Sequence, residues 1–257
     1  MIDSVSERGV IFVNEVFSGI QGEGALVGER QVFLRLSGCN IRCVYCDQPE
    51  ALVKAPGIAR LECRAGTRRW DEVRSPIPIE RVAGVVDRLW RDLPHHSVSL
   101  TGGEPLMQAG RMERMLELMT AAGHRISLET NGTLASQLKK VLRWIDYVSM
   151  DLKLTSVDAA RVSLDLHRQF IEACEGPRLS IKVVIGAGTD VNELARALEL
   201  VESLRSDVEV FLQPVTPFGS VTQAPDPGLV LSLHEAALRV HPRTRVVPQC
   251  HKLIQQL

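Results

Sequence analysis

Aromatic residues make up only 4% of this 257-residue chain. A surface that stacks successive bases of a single strand needs more rings than that. Net charge is nearly absent as well: 30 basic against 31 acidic side chains leave −1 at pH 7. That balance removes the electrostatic basis for gripping nucleic acid or an anionic membrane. No run approaches the ~18–20 consecutive apolar residues that span a bilayer. The opening MIDSVSERGV lacks the basic-then-apolar layout of a secretory signal, so export is not expected. Low-complexity tracts and long charge runs are missing while 45% of the residues are hydrophobic, a composition that excludes disorder. Six cysteines are too few to staple a chain of this length.

The cysteines are unevenly placed. Cys39, Cys43 and Cys46 crowd into eight residues, while Cys63, Cys174 and Cys250 are scattered. Clustered thiols without an export signal point to a metal or redox centre in a reducing compartment, and the expected location is the cytoplasm. The length suits one domain over 1–257 with an ample core. Residues 54–78, rich in Pro and Gly with Arg64, Arg68 and Arg69, read as a surface insertion holding a small hairpin around 59–64.

Short aliphatic runs ending at Gly, Asn or Pro predict strands over 32–38, 97–101, 125–129, 147–152, 179–185, 208–213 and 244–247. Between them, apolar residues recur at helical spacing. Examples are Val82/Val85/Val86/Leu89/Trp90/Leu93 and Met112/Met115/Leu116/Met119, the latter followed by Gly123 at a C-cap position. Similar stripes begin at Leu138, Leu194 and Leu229. The Met stripe reads as core filler. Alternating strands and helices imply parallel strands joined by right-handed crossovers. About seven strands are too few for a closed eightfold barrel. The expected fold is therefore α/β, a partial, splayed (β/α) barrel.

Polar motifs then fall at strand ends: the Cys cluster, Thr101-Gly102-Gly103-Glu104-Pro105, Glu129-Thr130-Asn131-Gly132, Asp151-Leu152-Lys153, Gln213-Pro214 and Gln249-Cys250-His251-Lys252. The carboxyl ends of parallel strands share one rim, where sites form. Any one motif taken alone would also serve as a plain turn. Structural zinc normally takes four protein ligands, and no second Cys pair or nearby His completes such a set. Three cysteines on a four-iron cubane leave one iron without a protein ligand, open to hold a cofactor or substrate.

The Cys-x3-Cys-x2-Cys spacing resembles the radical S-adenosylmethionine (SAM) superfamily. There, three cysteines hold a [4Fe–4S] cluster, SAM chelates the open iron, and reductive cleavage of SAM yields a 5′-deoxyadenosyl radical. Ile20-Gln21-Gly22-Glu23-Gly24 ahead of the cluster, the rim motifs and the terminal Gln-x-His-Lys together resemble the 7-carboxy-7-deazaguanine synthase family, from about Asn14 to Lys252. That resemblance implies ring contraction of 6-carboxy-5,6,7,8-tetrahydropterin to 7-carboxy-7-deazaguanine with release of ammonia, assisted by Mg²⁺. It further implies an external electron donor of flavodoxin-like kind and a homodimer. No nucleic-acid or membrane partner is expected. A glycyl-radical activase would share the Cys spacing but not the QGEG box with the terminal Gln-x-His-Lys. A sensor or scaffold protein would explain the thiols alone.

Carried over residue by residue, the resemblance assigns Cys39, Cys43 and Cys46 to the cluster. Tyr45, Asp47, Gly102, Gly103, Glu104, Ser149, Lys153, Gln213 and Pro214 fall to SAM, and Ile20, Gln21, Gly22, Arg35, Thr101, Glu129, Asn131 and His251 to the pterin. No side chain beyond the cluster and the SAM radical is expected to be catalytic. Arg35 sits among apolar strand residues, where a charge needs a partner. A guanidinium fork suits the substrate carboxylate, and an internal salt bridge, for example with Glu23, is the competing reading. His251 reads equally well as a surface histidine of the tail. Where the family presents Thr or Ser as a Mg²⁺ ligand, this chain has Gln48. Its carbonyl oxygen is also a hard donor, but on a longer arm. Titrating Mg²⁺ should therefore stimulate a Gln48→Thr variant more steeply than the native protein, and identical curves would show that position 48 does not govern the metal.

Overall fold

The computed structural model describes residues 9–158 and 162–256. Seven parallel strands run in chain order across one sheet: β3 (Arg30–Leu36), β7 (Ser97–Gly102), β8 (Ile126–Thr130), β9 (Tyr147–Leu152), β10 (Arg178–Ile185), β11 (Glu209–Pro214) and β12 (Thr244–Val246). All seven coincide with the expected segments to within about two residues at either end. On the far side of β3 lie β2 (Val13–Ile20), antiparallel to it, then β4 (Ile58–Glu62) and β5 (Trp70–Arg74). The ten strands end at β12 and β5 without closing, so the barrel is open. A short antiparallel pair, β1 (Val10–Ile11) with β6 (Ile77–Pro78), lies apart from the sheet.

Helices α1 (Ile79–Asp92), α2 (Ala109–Ala121), α3 (Ala135–Val141), α4 (Leu164–Ala173), α5 (Val191–Arg205) and α6 (Pro227–Val240) fill the crossovers, each packed on the next. Their apolar stripes lie in the same core as one face of the sheet: Leu34, Leu36, Leu100, Leu128, Met150, Ile181 and Leu212 are fully buried with Val86, Leu89, Met112 and Met119. Just past helix α2, Gly123 takes a φ of +83°, which lets the His124 and Gly123 amides bond back to Met119 and Thr120. Leu93 falls beyond α1 and is exposed.

Three elements escape periodicity reading. Strand β2 carries Glu15, Ser18 and Gly19, which mask its alternation. Helix α4 has a polar His167 in its buried stripe. The hairpin expected near 59–64 is longer, and β4 joins the main sheet through β2.

Alternation along the parallel strands separates two faces. Residues between the core positions are Phe33 and Arg35, Ser99 and Thr101, Ser127 and Glu129, Ser149 and Asp151, Ser180 and Lys182, and Gln213. This second face is polar because it lines a cavity rather than a helix layer. Leu100 lies between β3 and β8 with no exposed surface. Leu100→Ala should cost about 2–5 kcal/mol of unfolding free energy, read from the urea midpoint at unchanged m-value. A midpoint equal to wild type would remove Leu100 from the core.

Candidate active site

The cavity lies over the polar face at the carboxyl ends of the strands. Its roof is the loop after β3, which carries Cys39, Cys43 and Cys46 on its wall. Two backbone contacts fix that loop. The Gly38 carbonyl accepts from the Glu104 amide at 2.7 Å, and its amide donates to the Ala51 carbonyl at 2.7 Å. A Cβ on Gly103 would lie 2.2 Å from the Gly38 oxygen, so only glycine lets the two loops meet.

The QGEG box and the terminal Gln-x-His-Lys, far apart in sequence, also meet. The Cys250 amide donates to the Gly22 carbonyl at 2.9 Å, and a Cβ on Gly22 would lie 2.2 Å from Nδ1 of His251. Gln249 bridges the two carboxylates there, donating to Glu23 at 2.8 Å and to Asp47 at 3.2 Å. Helix α7 (Cys250–Leu253) brings Lys252 to 3.2 Å from Asp47.

All the expected site residues but two line this cavity, including Ile20, Gln21, Gly22, Tyr45, Gln48, Gly102, Asn131, Gln213 and His251. The exceptions are Glu104 and Pro214. Glu104 is fully buried, accepting from the Asn131 amide at 2.7 Å, the Leu106 amide at 3.0 Å and the Thr130 hydroxyl at 2.9 Å. Burial pushes its pKa up to about 7 against those three donors. It ties the TGGEP loop to the ETNG loop.

Arg35 is paired, but with Glu15 at 2.8 Å and not with Glu23. Glu129 collects Gln21 at 2.8 Å, Ser99 at 2.8 Å and Thr101 at 3.1 Å, so these polar groups form one hydrogen-bonded unit. Lys153 lies 2.8 Å from Asp151 and 5.0 Å above the Tyr45 ring. Burial lowers its pKa, but Asp151 reverses the sign and holds it well above the ordinary lysine value.

Glu23, Asp151 and Gln249 sit in the QGEG, Asp-Leu-Lys and terminal Gln-x-His-Lys motifs without an expected role, and Lys182 belongs to no motif, yet all four line the cavity wall. Lys182 gave the same signal as Arg35, a lone charge in an aliphatic strand. It pairs with Glu23 and lies 3.7 Å from Asp151. Burial alone would raise the Glu23 pKa, yet Lys182 and Gln249 overcome it and hold the carboxyl at about 2.

The thiols fit an iron–sulfur centre by their chemistry. Burial pushes all three above the ordinary thiol value, Cys43 farthest, so they need a bound cation to become thiolates. A single tetrahedral ion with metal–sulfur bonds of ~2.3 Å would hold its sulfurs about 3.8 Å apart. Among the described residues the three ligand-type groups within 4.8 Å of one another are Glu23, Asp47 and His251, not the three sulfurs. The wider trio suits a multinuclear cluster. Beside it, Oε1 of Gln213 and Oδ1 of Asp151 are buried acceptors without a hydrogen-bond partner. A second hollow shares Tyr45 with the cavity and is walled by Val157, Gly186, Gly188 and Val215. Donor-bearing cofactor groups and a flat ring fit these features.

Glu23 has a folded-state pKa below its unfolded one, so its stabilising contribution is complete above about 4.5 and is lost as pH falls toward about 2. Glu23→Gln should flatten the acid limb of the stability–pH curve over that window. An unchanged limb in a urea series would show that the Glu23–Lys182 pair contributes nothing to it.

The Radical SAM superfamily pattern matches residues 34–205. A 7-carboxy-7-deazaguanine synthase of Geobacter sulfurreducens is 38% identical over 248 residues, covering 95% of this chain and 97% of the relative. Another, from Methanopyrus kandleri, is 36% identical over 251 residues, with 94% and 92% covered. Among solved structures, QueE from Escherichia coli superposes with a TM-score of 0.60 at 20% identity, covering 96% of this chain and all of that one. Streptococcus suis SuiB bound to S-adenosylmethionine gives 0.54 at 16% identity over 82% of this chain and 48% of that chain. The chain therefore belongs to the radical SAM superfamily and, within it, to the 7-carboxy-7-deazaguanine synthases.

Proposed function

We propose that this cavity takes up a [4Fe–4S] cluster, SAM and 6-carboxy-5,6,7,8-tetrahydropterin, and that the enzyme is a radical SAM lyase. It contracts the pterin ring to 7-carboxy-7-deazaguanine and releases ammonia. The observation that carries this reading is the meeting of the QGEG box, the cluster loop and the terminal Gln-x-His-Lys on one wall. Family membership supports it. None of the relatives reported above is a glycyl-radical activase, and the activase reading finds no support.

When bound, the cluster and SAM would supply the one-electron chemistry that starts the reaction. The protein's part is binding, orientation and exclusion of water. Cys39, Cys43 and Cys46 would hold the cluster. Tyr45, backbone at Gly102 and Gly103, Ser149, Asp47, Lys153 and Gln213 would hold SAM; Glu104 and Pro214 would act from behind. The pterin would lie over Ile20, Gly22, Thr101, Asn131 and His251. The amide hydrogens of Gln21 are spent on Gln31 and Glu129, so Gln21 and Glu129 would offer acceptor oxygens to the N–H groups of its heterocycle, and the Nη groups of Arg35 would take its carboxylate. Gln48 would offer its side-chain oxygen to Mg²⁺.

The domain is read as one radical SAM unit over 1–257 with an insertion at 54–78. A homodimer, a flavodoxin-like electron donor and a cytoplasmic location complete the proposal. Six free cysteines suit a reducing compartment, and no described helix is long and apolar enough to cross a membrane. Anaerobically reconstituted protein given SAM, a reductant and the carboxypterin should yield 7-carboxy-7-deazaguanine and ammonia by mass spectrometry and ammonia assay. Cys43→Ala should lose cluster absorbance and product together. Turnover retained without the cluster chromophore, or no product from fully loaded protein, would overturn the reading.

A further inference from the structure

The hairpin β4–β5 has no part in the scheme above, yet it reaches the substrate wall by a defined route. A bulge in β2 skips Asn14, so the register passes from Val13 opposite Leu36 to Glu15 opposite Arg35. Without it, Asn14 would face Arg35, and Glu15 would turn to the helix side. On its other edge Glu15 is in register with Arg60 of β4. The carboxylate is bound on both sides, Oε1 to Nε of Arg35 at 2.8 Å and Oε2 to Nη2 of Arg60 at 2.6 Å. Glu15 and Arg35 are buried, while the Arg60 side chain is about half exposed and stacks on Trp70 of β5 at 4.9 Å.

Two consequences follow from this row. Glu15 engages Arg35 only through Nε, and no hydrogen bond among the described residues uses its Nη atoms. The forked end stays open toward the cavity, fixed from behind and packed 5.7 Å over Phe17, a ring that also stacks on Phe33 at 5.1 Å and lies 5.2 Å from Arg68. Charge is the second consequence. A lone Arg35–Glu15 pair would be neutral and would attract an anion weakly. With Arg60 sharing the same carboxylate, the row keeps a net positive charge at the wall. Glu72 of β5 lies in register with Arg60, but it is exposed and water screens it.

We propose that Glu15 and Arg60 are positioning residues for the substrate carboxylate, and that the hairpin insertion serves the site by supplying the second guanidinium. Glu15 aims Arg35, and Arg60 cancels the charge that this aiming would otherwise impose. The proposal rests on the reading of the cavity as a carboxypterin site.

The test is anaerobic equilibrium dialysis of cluster-loaded, SAM-bound enzyme against two probes, oxidised 6-carboxypterin and pterin lacking the carboxylate. Wild type should prefer the carboxylated probe; no preference would overturn the carboxypterin reading itself. Arg60→Met should raise the Kd for 6-carboxypterin about 3–5-fold, as befits a half-exposed charge, and leave that for pterin unchanged. Arg60→Lys should restore wild-type binding. In a Glu15→Gln background, which lifts the row by one positive charge, Arg60→Met should still weaken 6-carboxypterin selectively, and the double variant should bind it about as wild type does. Equal weakening of both probes, failure of Lys to rescue, or a double variant that binds 6-carboxypterin no better than Arg60→Met alone would overturn the proposal. If Glu15→Gln does not fold, the Met and Lys variants decide it alone.

Discussion

Charges placed on the inner face of a sheet must be paired before any ligand arrives, and this constraint organises the molecule. Three largely buried cations, Arg35, Lys153 and Lys182, project from strands or strand ends into the cavity. Unpaired, each would cost several kcal/mol at that depth. The chain answers with Glu15, Asp151 and Glu23, and extends the series through Gln249 to Asp47 and Lys252. The partners alternate in sign along the wall, so the cavity is polar without being strongly charged. A zwitterionic cofactor and an anionic heterocycle can then be bound by exchange of partners rather than by attraction to a bare charge.

The same series explains why sequence-distant motifs must touch. Glu23 lies just before β3, Asp47 in the cluster loop and Gln249 near the C-terminus, and one amide side chain joins them. Close backbone approach at Gly22 and Gly103 is what permits it, because each site would be filled by a single added carbon. Loop geometry here is set by main-chain contact, which is stiffer than side-chain packing and suits reacting groups that must be held to a fraction of an ångström.

Much of this was legible in the sequence because period and position are local properties. The seven parallel strands each combine an aliphatic alternation with a punctuating Gly, Asn or Pro, and their order follows from crossover handedness. The rim motifs could be located because strand ends converge. What stayed hidden depends on partners. Glu15 looks like a solvent-facing residue of an irregular segment until β2 is seen between β3 and β4. Lys182 carried the signal of a lone charge in an apolar strand, but its partner, Glu23, is 159 residues away in sequence. Glu104 was expected at the ligand because of its motif, whereas its carboxylate is consumed by two backbone amides and a hydroxyl. The helix α4 stripe fails at His167, which is buried because its ring nitrogen accepts from the Lys153 amide at 3.0 Å.

The cluster loop has an exposed outer face and an inner face that lines the cavity. Asn40, Arg42 and Val44 are exposed on its outer surface, while Cys39, Cys43 and Tyr45 line the cavity beneath. Radical chemistry demands that asymmetry: an electron has to reach the metal from outside, and the radical made within must meet no solvent. A loop this short is thin enough to serve both demands, because alternate residues point to opposite sides of it. A closed barrel with the cysteines deeper in its core would protect the radical equally well but would put more protein between the cluster and its reductant. The open sheet and the short loop over its rim are therefore two parts of one solution, with shielding supplied by the wall of paired charges and access supplied by the roof.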